Sequence, residues 1–125
     1  MNNRSNIVET IKDSRQKEIN FRKEWKIFDS VQLIVKDHPP SNVSIQDIIQ
    51  ELEEKIPNSF VRMLDVIYIG QFEHLISREV EAVYEEGAIY VSNDQPTEDE
   101  FVESIGHEVA HCLEDSMASE IYSDG

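Results

Sequence analysis

Thr97-Glu98-Asp99-Glu100-Phe101-Val102-Glu103-Ser104-Ile105-Gly106-His107-Glu108-Val109-Ala110-His111-Cys112-Leu113 reads as one helix with two unlike faces. Thr97 is a capping residue, Glu100 stands where a capping box needs a glutamate, and Glu98, Asp99 and Glu100 complement the positive end of the helix dipole. At about 100° per residue, with His107 at zero, Phe101, Val102, Ile105, Gly106, Val109, Ala110, Cys112 and Leu113 fall in an arc from about 120° to 300°. Ser104, His107, Glu108, His111 and Glu114 share the opposite arc. The apolar arc asks for a sheet to pack against, and the other face carries chemistry.

That chemistry is the pattern His-Glu-x-x-His. Residues four apart lie one turn above each other, so His107 and His111 can close on one metal ion from the same side. Glu108 lies beside them, where a carboxylate can take a proton from a water that the metal activates. A single histidine at a core edge is explained by one hydrogen bond, and His38 and His74 are assigned that role. Two histidines at this spacing with a glutamate after the first, on the polar side of a well-patterned helix, point to zinc. Cys112 falls among the apolar residues and is expected in the core.

Working back towards the N-terminus, Ala88 to Ser92 and Arg78 to Tyr84 are strand candidates joined through Glu85-Glu86-Gly87, a hairpin with glycine at the turn. Phe60 to Gly70 is rich in β-branched and aromatic residues, with Val66 to Ile69 as a buried strand, and a short connection carrying Phe72 and His74 follows it. Ser44-Ile45-Gln46-Asp47 opens a helix whose Ile45, Ile48, Ile49, Leu52 and Ile56 keep helical spacing until Pro57-Asn58. From Ser5 to Lys36, Ile7, Ile11, Phe21, Trp25, Phe28 and Val35 suggest one long helix or two abutting ones, ended by His38-Pro39-Pro40. The expected fold is therefore α+β in a single domain over residues 1–125: a helical scaffold over 1–57, then over 58–125 a small, mostly antiparallel three-stranded sheet and the metal-binding helix.

The chain has 125 residues, 39% hydrophobic and 30% charged, with a formal charge of −15. This composition suits a globular protein with a core of its own. No apolar run is long enough for a membrane span and the N-terminus lacks the pattern of a signal peptide, so the expected address is the cytoplasm. The single cysteine excludes an internal disulfide and agrees with that address. Residues 1–40 hold 8 of the 11 basic and 6 of the 26 acidic residues, so a local +2 leaves −17 on the rest. Such a body repels nucleic acid and anionic lipid and favours a cationic partner or substrate.

The motif and its setting resemble those of the zincin metallopeptidases. In that family a sheet precedes the active helix, and its edge strand, which aligns substrate in extended form, leads through a loop into that helix. Ala88–Ser92, Asn93–Pro96 and Thr97 onward are similar, so the resemblance covers residues 60–125. The short chain also resembles minimal zincins of phages and mobile elements. The resemblance implies that His107 and His111 are zinc ligands and Glu108 the general base, with Tyr122 as a candidate oxyanion partner. The metzincin glycine and third histidine are replaced here by Glu114 and Met117. Ile121-Tyr122 is similar to a pair that in gluzincins precedes the glutamate ligand, which on that spacing would fall after Gly125. The third ligand is thus Glu114, Glu120, Asp124 or a residue beyond Gly125. Glu120 is favoured, as a position just past the helix from which the chain can turn back to the metal. The expected function is zinc-dependent hydrolysis of a peptide or protein substrate; the alternative is a non-catalytic zincin-like module that works through protein contacts.

Overall fold

The computed structural model describes residues 24–123. Five strands form one mixed sheet in the order β1-β2-β3-β5-β4: β1 is Glu24–Ile27, β2 Val31–Val35, β3 Val66–Gly70, β4 Ala82–Glu85 and β5 Ala88–Ser92. Helices α1 (Ile45–Lys55), α2 (Glu73–Arg78) and α3 (Glu98–Ser123) complete the fold, with a 3-10 turn at Asn58–Val61. Strands β2, β3 and β5 run parallel, and β1 and β4 are antiparallel to them at the two edges.

This corrects the expected three-stranded, mostly antiparallel sheet preceded by helices. The expected N-terminal helix falls partly outside the described residues, and where it is described, at 24–35, the chain is a β-hairpin. Trp25 and Ile27, then Val31, Leu33 and Val35, alternate with Lys26, Gln32 and Ile34, and alternation is what a sheet with one buried face requires. The turn between them puts Phe28 and Asp29 at φ of 53° and 65°, a conformation that costs a non-glycine residue about 1–2 kcal/mol. Phe28 holds it by burying its ring in the core and donating its N–H to Glu53 Oε2 at 3.0 Å. The segment after β3, expected as a connection, winds into α2, and β4 begins at Ala82 rather than Arg78.

The core lies between one face of the sheet and α1 and α3. Trp25, Leu33, Ile67, Ile89 and Tyr84 form a row across all five strands, and Val35, Ile69, Val91 and Ala82 form the next. Onto these rows α1 sets Ile48, Ile49 and Leu52, and α3 sets Phe101, Val102, Ile105, Val109 and Cys112. The tight β4–β5 hairpin depends on Gly87, whose φ is 85° and where a Cβ would come within 2.9 Å of Asp65 Oδ2. The opposite face carries Ile34, Tyr68, Tyr90 and Val83 in one row, with Tyr68 and Tyr90 stacked at 5.2 Å and Phe72 and His74 against Tyr90.

The two long helices are tied together at their N-termini. Ser44 caps α1 by accepting from Asp47 N–H at 3.3 Å, while its own N–H donates to Glu98 Oε1 at 2.8 Å. Asn42 Nδ2 donates to the Pro96 carbonyl at 2.9 Å, and Thr97 Oγ1 caps α3 by accepting from Glu100 N–H at 3.2 Å. The Ser44 N–H favours the ionised form of Glu98 and holds its carboxyl below the ordinary value of 4.5. A carboxylate with a depressed folded pKa contributes stability that is complete above its unfolded value and lost as pH falls through the folded one. We expect Glu98→Gln to flatten the decline of melting temperature below about pH 4.5 and to leave the profile above it parallel to the wild type; unchanged acid dependence would assign the decline to other carboxylates.

Candidate metal centre

The middle turns of α3 bring His107, Glu108 and His111 together, with one ligand atom of each lying within 4.8 Å of the others. The two imidazoles stand one turn apart, 4.9 Å between centroids and nearly perpendicular at 86°. Both are exposed, whereas Glu108 is only 8% exposed. Among the described residues no other group of three or more histidine, cysteine, aspartate or glutamate side chains closes in this way. Helical spacing alone produces the pair, and the burial of Phe101, Ile105, Val109 and Cys112 on the far face fixes which way it points.

Glu108 is the unusual member. Most of the residue is covered, but its carboxylate oxygens reach solvent at the cleft and make no hydrogen bond or ion pair among the described residues. An ionised carboxylate at such a wall can accept a hydrogen bond from water or hold a cation. Two imidazoles beside it make a donor set of the kind zinc takes, with nitrogen ligands and positions left open for solvent.

Beside the motif lies a cleft of about 550 Å³, walled by α3 on one side and by the approach to β4 and the Asp94–Pro96 loop on the other. His107 and Glu108 line it together with Val80, Glu81, Ala82, Gln95 and Ser104. Gln95 pins this wall: buried, it donates from Nε2 to the Ser92 carbonyl at 3.2 Å and accepts from Ser104 Oγ at 2.8 Å. The loop after β5 is thereby locked to the helix one turn before His107. Nothing in a motif search singles out Gln95 or Glu81; the signal that could have found Gln95 is an amide in the short loop that enters the motif helix.

The strand bordering the cleft is β4, not β5. The zincin resemblance implies Ala88–Ser92, which leads into α3, as the edge strand, but β5 lies between β3 and β4. Among the described residues β4 is paired on one side only, and Tyr84 reaches from it to α3, its hydroxyl donating to Asp115 Oδ2 at 3.5 Å. Burial pushes the Tyr84 phenol and the Cys112 thiol up from their ordinary values, so both stay neutral at physiological pH. Cys112 is a core residue, as its place in the apolar arc requires.

The candidates for a third ligand separate clearly. Helix α3 does not end before Glu120 but continues to Ser123, which places Glu120 thirteen residues beyond His107, about 20 Å along the axis. One ion cannot be held at both positions while the helix is intact. Asp124 lies outside the described residues. Glu114 sits one turn after His111, with its Oε2 at 3.8 Å from His111 Nδ1, an ion-pair distance. Drawn in to hydrogen-bond distance, Glu114 would hold a proton on Nδ1 and leave the Nε2 lone pair for a metal, the arrangement by which carboxylates orient ligating histidines. Glu114→Ala is expected to weaken zinc binding by about 10–100-fold in competition with a fluorescent chelator, and Glu120→Ala to leave it within about twofold. A comparable loss in Glu120→Ala would require α3 to break after Glu114.

No family model matches this chain, and neither a curated protein nor a solved structure does. No helix among the described residues is long and apolar enough to cross a membrane.

Proposed function

We propose that this chain is a zinc-dependent peptidase in which His107 and His111 hold the metal and Glu108 is the general base. The observation that carries the proposal is the convergence of two imidazoles one turn apart and a carboxylate, one ligand atom of each within 4.8 Å of the others, at the wall of an open cleft. When bound, zinc would polarise the scissile carbonyl and make water acidic enough to attack near neutral pH.

The chain's own residues account for the remaining tasks. Glu108 lies within reach of both histidines and takes the proton of the attacking water, and the same carboxyl can pass it to the leaving amine. The Gln95–Ser104 bond keeps the cleft wall in register with the helix. Among the described residues the outer edge of β4 is unpaired, and an extended peptide can add to it as a further strand. Such pairing holds the scissile bond by its main chain, independently of sequence.

The direct test is the zinc content of the purified 125-residue chain by elemental analysis, beside His107→Ala and His111→Ala. We expect about one zinc per chain, collapsing in both variants. A ratio near zero after zinc has been offered would remove the metal from the proposal and the hydrolytic mechanism with it. Zinc near one with no cleavage of any peptide library would leave a metal-holding interaction module, the alternative that the sequence also allows.

A further inference from the structure

We propose that the sheet face turned away from α1 and α3 is the docking surface for the chain's own residues 1–23. Both long helices pack on the other face, where the core lies. On this one Ile34, Val66, Tyr68, Ala88, Tyr90 and Val83 form a contiguous apolar patch across β2, β3, β5 and β4, and all six are only partly buried. Among the described residues, α2 meets the patch at Tyr90, through Phe72 and His74. Strands β2, β3 and β5 are parallel, and parallel strands are as a rule covered on both faces, since their apolar side chains otherwise meet water on one of them.

Length and charge name the occupant. Residues 1–23 lie outside the described residues and join the fold at Glu24, which opens β1 at the edge beside β2. Five strands about 4.8 Å apart make a sheet about 19 Å across, and 23 residues reach farther than that even at the roughly 1.5 Å per residue of a helix. The segment brings Ile7, Val8, Ile11, Ile19 and Phe21 to an apolar surface. Its 6 basic and 3 acidic residues give +3, which leaves −18 on residues 24–125, so the segment is drawn to the body that it is joined to. A second copy on the same face would instead set −15 against −15. The inference stands apart from the metal proposal, because α3 lies on the other side of the sheet.

The test uses the full chain, enriched in nitrogen-15, with Ser14→Cys carrying a nitroxide. Cys112 has no exposed surface and stays unlabelled in the folded chain, which mass spectrometry verifies as a single label. Relaxation by a nitroxide falls with the sixth power of distance, and the helical layer lies about 10 Å beyond the sheet, so the amides of Ile34, Tyr68 and Tyr90 should relax at least about fivefold faster than those of Leu52 and Val109. Adding Ile7→Ser/Ile11→Ser to the labelled chain is expected to bring that ratio below about twofold, since it removes the apolar contact. An equal mixture of enriched chain without nitroxide and labelled chain without enrichment should show no broadening on the patch. Broadening in the mixture would put a second copy on the face and overturn the assignment. Equal relaxation of sheet and helices, or a preference that survives Ile7→Ser/Ile11→Ser, would overturn it as well.

Discussion

Glu108→Gln is expected to lower kcat/KM of the zinc-loaded protein by about 10²–10⁴-fold, the usual contribution of a positioned general base. Glutamine keeps the shape of the side chain and one carbonyl oxygen but cannot accept a proton at neutral pH. The ligating imidazoles are untouched, so the zinc content by elemental analysis should remain near one per chain. The melting temperature of the metal-free protein should hold, because the carboxylate makes no hydrogen bond or ion pair among the described residues for the fold to lose. This combination separates the catalytic assignment from a structural one. A carboxylate that merely braced the helix would give up stability along with activity, and one that completed the metal site would give up zinc. Hydrolysis that survives in Glu108→Gln would show that another group takes the proton, with Glu103, one turn before His107 and also lining the cleft, as the next position to change.

The motif is more legible in the sequence than its surroundings. His107, Glu108 and His111 are related by helical spacing alone, and any helix of this register brings them together. The amphipathic arc of α3, the Thr97 cap, α1 with its Ser44 cap, and the β4–β5 hairpin were legible for the same reason, since each is decided within a dozen neighbouring residues. The sheet was not. Trp25, Phe28 and Val35 satisfy a helical period while Trp25, Ile27, Val31, Leu33 and Val35 satisfy a strand period, and the turn between them lacks the glycine that would have settled the matter. Its left-handed Phe28 and Asp29 are held by the core and by Glu53, twenty-five residues away, which local patterning cannot register. The edge was misplaced for a related reason. β5 leads directly into α3, but β3, reached from β2 through α1, pairs with its free side and leaves β4 as the outer strand. Long-range pairing thus decides which strand borders the cleft, and with it which carboxylates face the motif.

Phe101→Ala is expected to destabilise the protein by about 3–5 kcal/mol, the cost of emptying a fully buried aromatic site that its neighbours cannot refill. Phe101 has no exposed surface and belongs to the cluster that joins α3 to α1 and the sheet. It lies in the first turns of α3, where the Ser44–Glu98 and Asn42–Pro96 bonds already fix the backbone, so collapse around the void is restrained. Against a total of about 5–15 kcal/mol for a domain of this kind, the loss is a large share, and the melting temperature should fall on the order of 10–20 °C. Met117→Ala, at an exposed position of the same helix, serves as the control and should stay within about 0.5 kcal/mol. The variant also tests whether site and fold are one system. Zinc that binds only the folded chain stabilises it by about 2.7 kcal/mol at a hundred times its dissociation constant, so added zinc should recover much of the lost melting temperature in Phe101→Ala. In Phe101→Ala/His107→Ala the recovery should vanish. Equal recovery in both would mean that zinc acts elsewhere on the chain, and that the helix which carries His107 and His111 is not where the metal and the fold meet.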